Sequence, residues 1–167
     1  MMHKIRETID RTVLVLVSAL FIALVSITVL QVILRYLFNS PLSFVDEFAR
    51  FALAWVALLG GAWVIGQKGH LAMDIMLQRI KNQGNALVLK TVIACLSITF
   101  FAIIMVYGGT ILAVNMRFQV SPALNLSMGV AYAVLPLSGL LSMFYLICDM
   151  IIYYKEYESF KKGADKE

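Results

Sequence analysis

Charge is scarce in this sequence. Only 14% of its 167 residues are charged, while 61% are apolar, against roughly 25% and about 45–50% in soluble domains. A soluble chain of this length would leave much of that apolar surface facing water, so lipid is the solvent its composition selects. Histidine is almost missing: His3 and His70 both stand outside the long apolar runs. A membrane cytochrome, which holds haem by histidines within its spans, is thereby excluded. Cysteine is equally rare, with Cys95 and Cys148 in apolar segments and no CxxC spacing. Both read as small packing residues in a reducing setting, and the outward-facing cysteine pairs of a quinone-linked disulfide oxidase are absent. The net charge of +4 is scattered through short segments between apolar runs. A nucleic-acid surface would gather it into a patch, so no nucleic acid is expected among the partners. No catalytic constellation, cofactor or metal site is implied.

What remains is a set of apolar runs. About 20 residues of helix cross the hydrocarbon core, and Thr12–Leu34 and Thr91–Val114 carry no charge at all. A further uncharged stretch lies between Arg117 and Asp149, interrupted by Pro122 and Pro136. Its span is placed at about 130–152, with the preceding segment as a loop or a surface-lying entry. Pro136 removes one backbone bond and predicts a kink near Tyr132. Between Arg50 and Lys68 there are only 17 uncharged residues, so that span must begin among charged ones. The first run is too long for a signal peptide and lacks a small-x-small cleavage site, which makes it a retained signal-anchor. The expected fold is an all-α integral membrane protein. It forms one four-helix domain over 1–167, with spans at about 12–34, 46–67, 90–114 and 130–152.

Lysine and arginine orient these spans. The N-terminal segment, the middle loop and the C-terminal tail together carry eleven, and the other two loops carry Arg35, Arg50 and Arg117. The positive-inside rule then puts both termini and the middle loop in the cytoplasm. Tyr153, Tyr154 and Tyr157 at the inner end, and Tyr36 and Phe38 at the outer, suit interfacial positions.

The second span begins unusually. Ser40 before Pro41 fits an N-cap and N1 pair. Asp46 and Glu47 follow near the positive end of the helix dipole, and Arg50 is four and three residues further on, on a shared face. Three readings stay open for this cluster: an interfacial salt bridge that fixes helix depth, a contact with a partner membrane protein, or substrate or ion coupling. In the middle loop, Leu71, Ile75, Met76 and Ile80 recur at helical spacing, with Asp74, Gln78, Arg79 and Lys81 on other faces. That pattern predicts an amphipathic helix on the inner membrane surface, in contact with lipid. His70 and Asp74 share one of its faces; two groups are too few for a metal, which leaves a local hydrogen bond or a partner contact. Ala57, Gly60 and Gly61, and later Gly108 and Gly109, mark helix-packing seams, whether within the domain or beyond it. RYLFNSPLS after the first span and RFQVSPALNLS after the third are faintly alike.

The first and third spans carry no ionisable group between their ends. An independent small multidrug-type exporter would need a buried acid in the first, so the chain reads as a scaffold or accessory subunit. The stretch RYLFNSPLSFVDEFARFALAW, from Arg35 to Trp55, and GQKGHLAMD, from Gly66 to Asp74, carry a resemblance. They resemble the DctQ-type small membrane subunit of tripartite ATP-independent periplasmic (TRAP) transporters. Phe44 and Asp46 stand where family members often have Trp and Glu. The motif covers about a quarter of the chain, and the four-span layout extends the fit to nearly all of it.

The resemblance implies a partner: a large membrane subunit that holds the substrate and sodium sites and moves its cargo by an elevator-like motion. It also implies a periplasmic substrate-binding protein that delivers an organic acid, such as a dicarboxylate or sialic acid. Uptake would be driven by an ion gradient, usually sodium, across the bacterial inner membrane. Arg35, Asp46, Glu47, Arg50, His70 and Asp74 become the candidate partner contacts. The rival expectation is an accessory or assembly subunit of another membrane complex.

Overall fold

The computed structural model describes residues 2–38, 43–67 and 83–164. The Ser40–Pro41 pair and the surface helix expected around His70 and Asp74 lie outside them. Helix α1 runs Met2–Phe38 and α2 runs Ser43–Gly66. Helix α3, Gln83–Phe100, passes through a π-helical segment, Phe101–Gly108, into α4, Gly109–Asn115. After a loop come the short α5, Met128–Tyr132, and the long α6, Val134–Ala164. Four stretches are long and apolar enough to cross a membrane: Arg6–Leu37, Phe44–Gly66, Leu89–Asn115 and Met128–Ile151. At 1.5 Å per residue the second is about 35 Å long and the first about 48 Å, against a hydrocarbon core of about 30 Å. The excess length of α1 carries Arg6 and Asp10 within the helix, ahead of the uncharged run.

The spans form a row. Helix α1 packs on α2, α2 on α6, and α6 on the π-helical segment and α4; α1 and the third span share no such interface. Helices α2 and α6 therefore make the interior, and every buried apolar side chain among the described residues belongs to one of them. On α2 the buried apolar side chains are Val45, Ala52, Leu59 and Ala62, spaced by seven, seven and three, which keeps one seam facing its neighbours. On α6 the buried set includes Ser138, Ser142, Tyr145 and Asp149. Lipid tails are as apolar as leucine, so close backbone approach, rather than leucine burial, holds such helices together. Where α2 splays from α5, an apolar groove of about 180 Å³ opens, lined by Leu20, Phe48, Phe51, Trp55, Leu124 and Val130 among others.

Two interruptions shape the row. Helices α5 and α6 are separated at Ala133, where Pro136 leaves the carbonyl of Tyr132 without its usual donor. The kink expected near Tyr132 is thus a short break. The π-helical segment had no marker in the sequence. Its wider turn rotates the face shown to α6, and it is there that α6 comes closest: a β-carbon added to Gly139 would sit 2.8 Å from Met105 Cβ and 3.1 Å from Val106 Cγ2. A β-carbon on Gly109 would sit 2.7 Å from Leu135 Cβ. Hydroxyls within the spans are satisfied locally, with Thr28 donating to Leu24 O at 2.7 Å, Thr99 to Cys95 O at 2.8 Å and Thr110 to Val106 O at 2.6 Å. Lipid offers them no alternative partner.

Gly139→Leu should force the third span away from α6, at a cost of about 1–3 kcal/mol for overpacking. Thermal unfolding of the detergent-solubilised chain would register it as a clear loss of stability, with Gly61→Leu, at an open position, as the silent control.

Candidate functional site

Polar side chains collect at the two ends of the row. At the end away from the chain termini, Glu47 projects from the first turns of α2 toward the loop that follows α4. One of its carboxylate oxygens, Oε2, accepts from the Ser121 hydroxyl and, at 3.0 Å each, from the backbone N–H groups of Ala123 and Leu124. The loop is folded to present these donors. Asn125 N–H donates to Ser121 O at 3.0 Å, Ser121 N–H to Leu126 O at 2.9 Å, and Val120 and Ser127 form an antiparallel bridge. Asn125 takes a left-handed φ of 52°, a conformation asparagine tolerates better than most residues. Ser121 is fully buried beneath this turn.

The neighbours of Glu47 have other partners. Gln31 Nε2 of α1 donates to Asp46 Oδ1 at 2.8 Å, and Arg50 Nε donates to the Asp46 backbone carbonyl at 3.3 Å. Asp46, Glu47 and Arg50 form no ion pair with one another. The salt-bridged cluster that their spacing allowed is instead an acid-to-loop tie, an α1–α2 hydrogen bond and an outward arginine. Arg35, in the last turn of α1, is exposed. Gly60 faces α1, 3.7 Å from Val17 Cγ1 to an added β-carbon, whereas Ala57 and Gly61 point away from the chain, with open space at Gly61.

The opposite end is tied by residues that the spacing of motifs did not reveal as a site. Arg6 of α1 donates from Nη1 to Asp149 Oδ1 of α6 at 2.7 Å, and from Nη2 to the backbone carbonyl of Gly66. That carbonyl belongs to the last turn of α2, whose acceptors have no partner within the helix. A guanidinium from another helix thus caps α2 and complements the negative end of its dipole. Arg6 also lies 5.9 Å above the ring of Tyr145. The ring is wholly buried and fills the space beside Gly66, where an added β-carbon would meet it at 2.6–2.7 Å. Asp10, one turn along α1, neighbours Tyr145, and its Oδ1 and the Tyr145 hydroxyl are both buried. A signal for this cluster existed: Asp149 is the one acidic residue between Asp74 and Glu156, and a lone acid closing an apolar run needs a cation.

Among the described residues no group of histidine, cysteine and acid side chains could hold a metal ion. What the arrangement does is structural: one polar tie at each end of a row of lipid-facing helices. The class it defines is a multi-pass helical membrane protein. A family model described as tripartite ATP-independent periplasmic transporters, DctQ component, matches residues 24–153, and the chain belongs to that family. It is 27% identical over 153 residues to a protein of Haemophilus influenzae described as a TRAP transporter small permease, covering 92% of each chain. A second Haemophilus influenzae protein so described is 31% identical over 88 residues, which are 52% of this chain and 54% of that one. The sialic acid TRAP transporter permease protein SiaT of Haemophilus influenzae is 26% identical over 147 residues, 86% of this chain but 23% of SiaT. The chain is therefore a TRAP transporter small permease subunit, a multi-pass protein of the bacterial inner membrane. The family match includes Glu47, Ser121 and Asp149; Arg6 precedes it.

The Arg6–Asp149 pair is largely buried, with side chains 12% and 8% exposed. Arg6→Ala or Asp149→Ala each leaves an unpaired charge and should cost about 3–5 kcal/mol. The exchanged pair, Arg6→Asp with Asp149→Arg, should recover part of that loss in a denaturation series on the solubilised chain.

At the other end, Glu47→Ala should speed hydrogen exchange at the Ala123 and Leu124 amides, while Glu47→Gln, which keeps an acceptor oxygen, should retain part of the protection. Equal exchange in all three proteins would show that the tie does not hold the loop.

Proposed function

We propose that this chain serves as the fixed frame of its transporter, bracing a large membrane subunit that carries out transport while a periplasmic binding protein delivers the substrate. One observation carries the reading. The runs Thr12–Leu34 and Thr91–Val114 carry no charge, and among the described residues the charged side chains that tie helices of this chain to each other stand at the two ends. Such a frame offers nothing to a translocated ion or acid at mid-membrane. The length relation to SiaT supports the same view, since this chain accounts for 23% of that permease and the remaining length is available for the transport machinery. Coupling to sodium and an organic-acid cargo, a dicarboxylate or a sialic acid, follow from the family and from the name of SiaT. Both termini lie in the cytoplasm in this reading, as the eleven-to-three distribution of lysine and arginine directs.

The surface offered to the large subunit is the outward side of α2. Asp46, Arg50, Leu53, Ala57, Gly61 and Val64 are all exposed, and their spacing of three and four places them on one stripe. Small residues on such a stripe let a second helix approach closely. Arg50 stands at its end with no carboxylate in contact, available to a partner's acid. Arg35 sits at the same end of the row, and His70 and Asp74, which lie outside the described residues, are proposed as further contacts.

Co-expression with the large subunit tests this. Arg50→Ala and the pair Ala57→Leu with Gly61→Leu should each lower recovery of the large subunit and lower uptake. Because Ala57 and Gly61 are exposed and Arg50 is bonded to its own helix, these changes should move the chain's own stability by no more than about 0.5 kcal/mol. This chain reconstituted alone should transport nothing and should restore uptake when joined to its partner; undiminished recovery and uptake in the variants would remove α2 from the interface.

A further inference from the structure

The loop between α4 and α5 is unlike a water-exposed connection. Its sequence from Arg117 to Ser127, RFQVSPALNLS, contains no acid and no lysine. Its large apolar side chains face outward: Phe118 is 80% exposed, Val120 56% and Leu126 47%. A soluble loop of this length would hand its backbone polar groups to water. Here most of the N–H groups are used internally. Arg117 donates to Val114 O, Gln119 to Met116 O, Ser121 to Leu126 O, Asn125 to Ser121 O and Met128 to Gln119 O, at 2.8 to 3.3 Å. Ala123 and Leu124 donate to Glu47. Internal pairing of the backbone is what entry into a layer of low polarity demands, and a protein-docking loop has no such need.

The charge fits the same surroundings. The Arg117 guanidinium lies 4.4 Å over the ring of Phe118 and, among the described residues, is in no ion pair. An arginine stacked on an aromatic ring, with apolar side chains beside it and no acid on its loop, complements a phosphate at the edge of hydrocarbon. The other edge of the row ends in the same dipeptide type, Arg35–Tyr36, with Tyr36 80% exposed. This gives the faint likeness between the two segments a physical content: each edge helix finishes in an arginine followed by an outward aromatic residue.

We propose that the Arg117–Ser127 loop is an interfacial anchor. Phe118, Val120 and Leu126 enter the boundary between headgroups and acyl chains in the leaflet at that end of the row, and Arg117 meets lipid phosphate. Glu47 holds the loop from within in the shape that turns these side chains outward. The anchor fixes the depth of the edge of the row that α4 forms. It rests on the membrane-spanning fold and is independent of whether α2 contacts the large subunit.

The test places a reporter on the loop. F118W, in the full-length chain with Trp55→Phe and Trp63→Phe, is reconstituted into vesicles of phosphatidylethanolamine and phosphatidylglycerol. Brominated acyl chains should reduce the emission of the introduced tryptophan about twofold, in keeping with an aromatic residue at the headgroup level, and aqueous acrylamide should have little effect. Arg117→Glu should weaken the quenching by brominated lipid, and Arg117→Lys should preserve it. A spin label at V120C, with Cys95→Ala and Cys148→Ala, gives an independent depth by its accessibility to oxygen against a water-soluble nickel chelate. A reporter open to acrylamide and untouched by brominated lipid overturns the proposal. So does one that becomes shielded only when a periplasmic binding protein and the large subunit are added, since the loop would then be a protein-docking surface.

Discussion

Hydrocarbon gives a polar group no partner, so each one that the chain carries to membrane depth must be satisfied by the chain itself. Most features of this structure follow from that constraint. Threonine hydroxyls return to carbonyls four residues back. The open end of α2, which in water would be solvated, is closed by a guanidinium from α1. The acid Glu47, near the start of the same helix, has its carboxylate spent on a hydroxyl and two backbone donors. The interaction at Arg6 is the more consequential of the two ties, because it engages α1, α2 and α6 together. Without it the ends of three helices on that side would each hold an unmatched group.

Close approach supplies the rest. Among the described residues the row has two interior helices, and glycine and serine share their buried contacts with Val45, Leu59, Val134 and Leu146. Tyr145 shows how the two effects combine: its ring occupies the gap that Gly66 leaves, and that placement brings it under Arg6. The π-helical segment belongs to the same economy. It turns the face of the third span so that Met105 and Val106 meet Gly139, while Gly109 receives Leu135 and Pro136. A row differs from a closed bundle in leaving both edges and both broad sides to lipid or to other proteins.

The spans were legible in the sequence because uncharged runs of span length are among the strongest signals a chain can carry. The break before Pro136 was legible for an equally local reason. The clustering of Asp46, Glu47 and Arg50 was seen, but its chemistry was not, since helical spacing reveals neighbours on one helix and is blind to a loop more than seventy residues away. The Arg6–Asp149 pair spans 143 positions, and each residue alone looks like a charge marking the end of a span. The π-helical segment, FAIIMVYG, has nothing in its composition to distinguish it from α-helix. Of the small residues marked as seams, the sequence could not say which pack inward. Gly60 does, whereas Ala57 and Gly61 do not.

That last division bears on how the subunit works. Small residues on an outward helix face gain nothing in lipid, where a leucine would serve as well and would favour the helix over glycine. Their presence on the same stripe as Arg50, on a helix whose opposite side is already committed to α6, gives α2 two faces of different purpose. One is fixed by Val45, Ala52, Leu59 and Ala62 within the chain; the other stays open. The ties at the two ends then acquire a mechanical sense. They hold α2 against its own neighbours at both ends of the row, and in the frame proposed above this would let three helices instead of one resist a force applied to its open face.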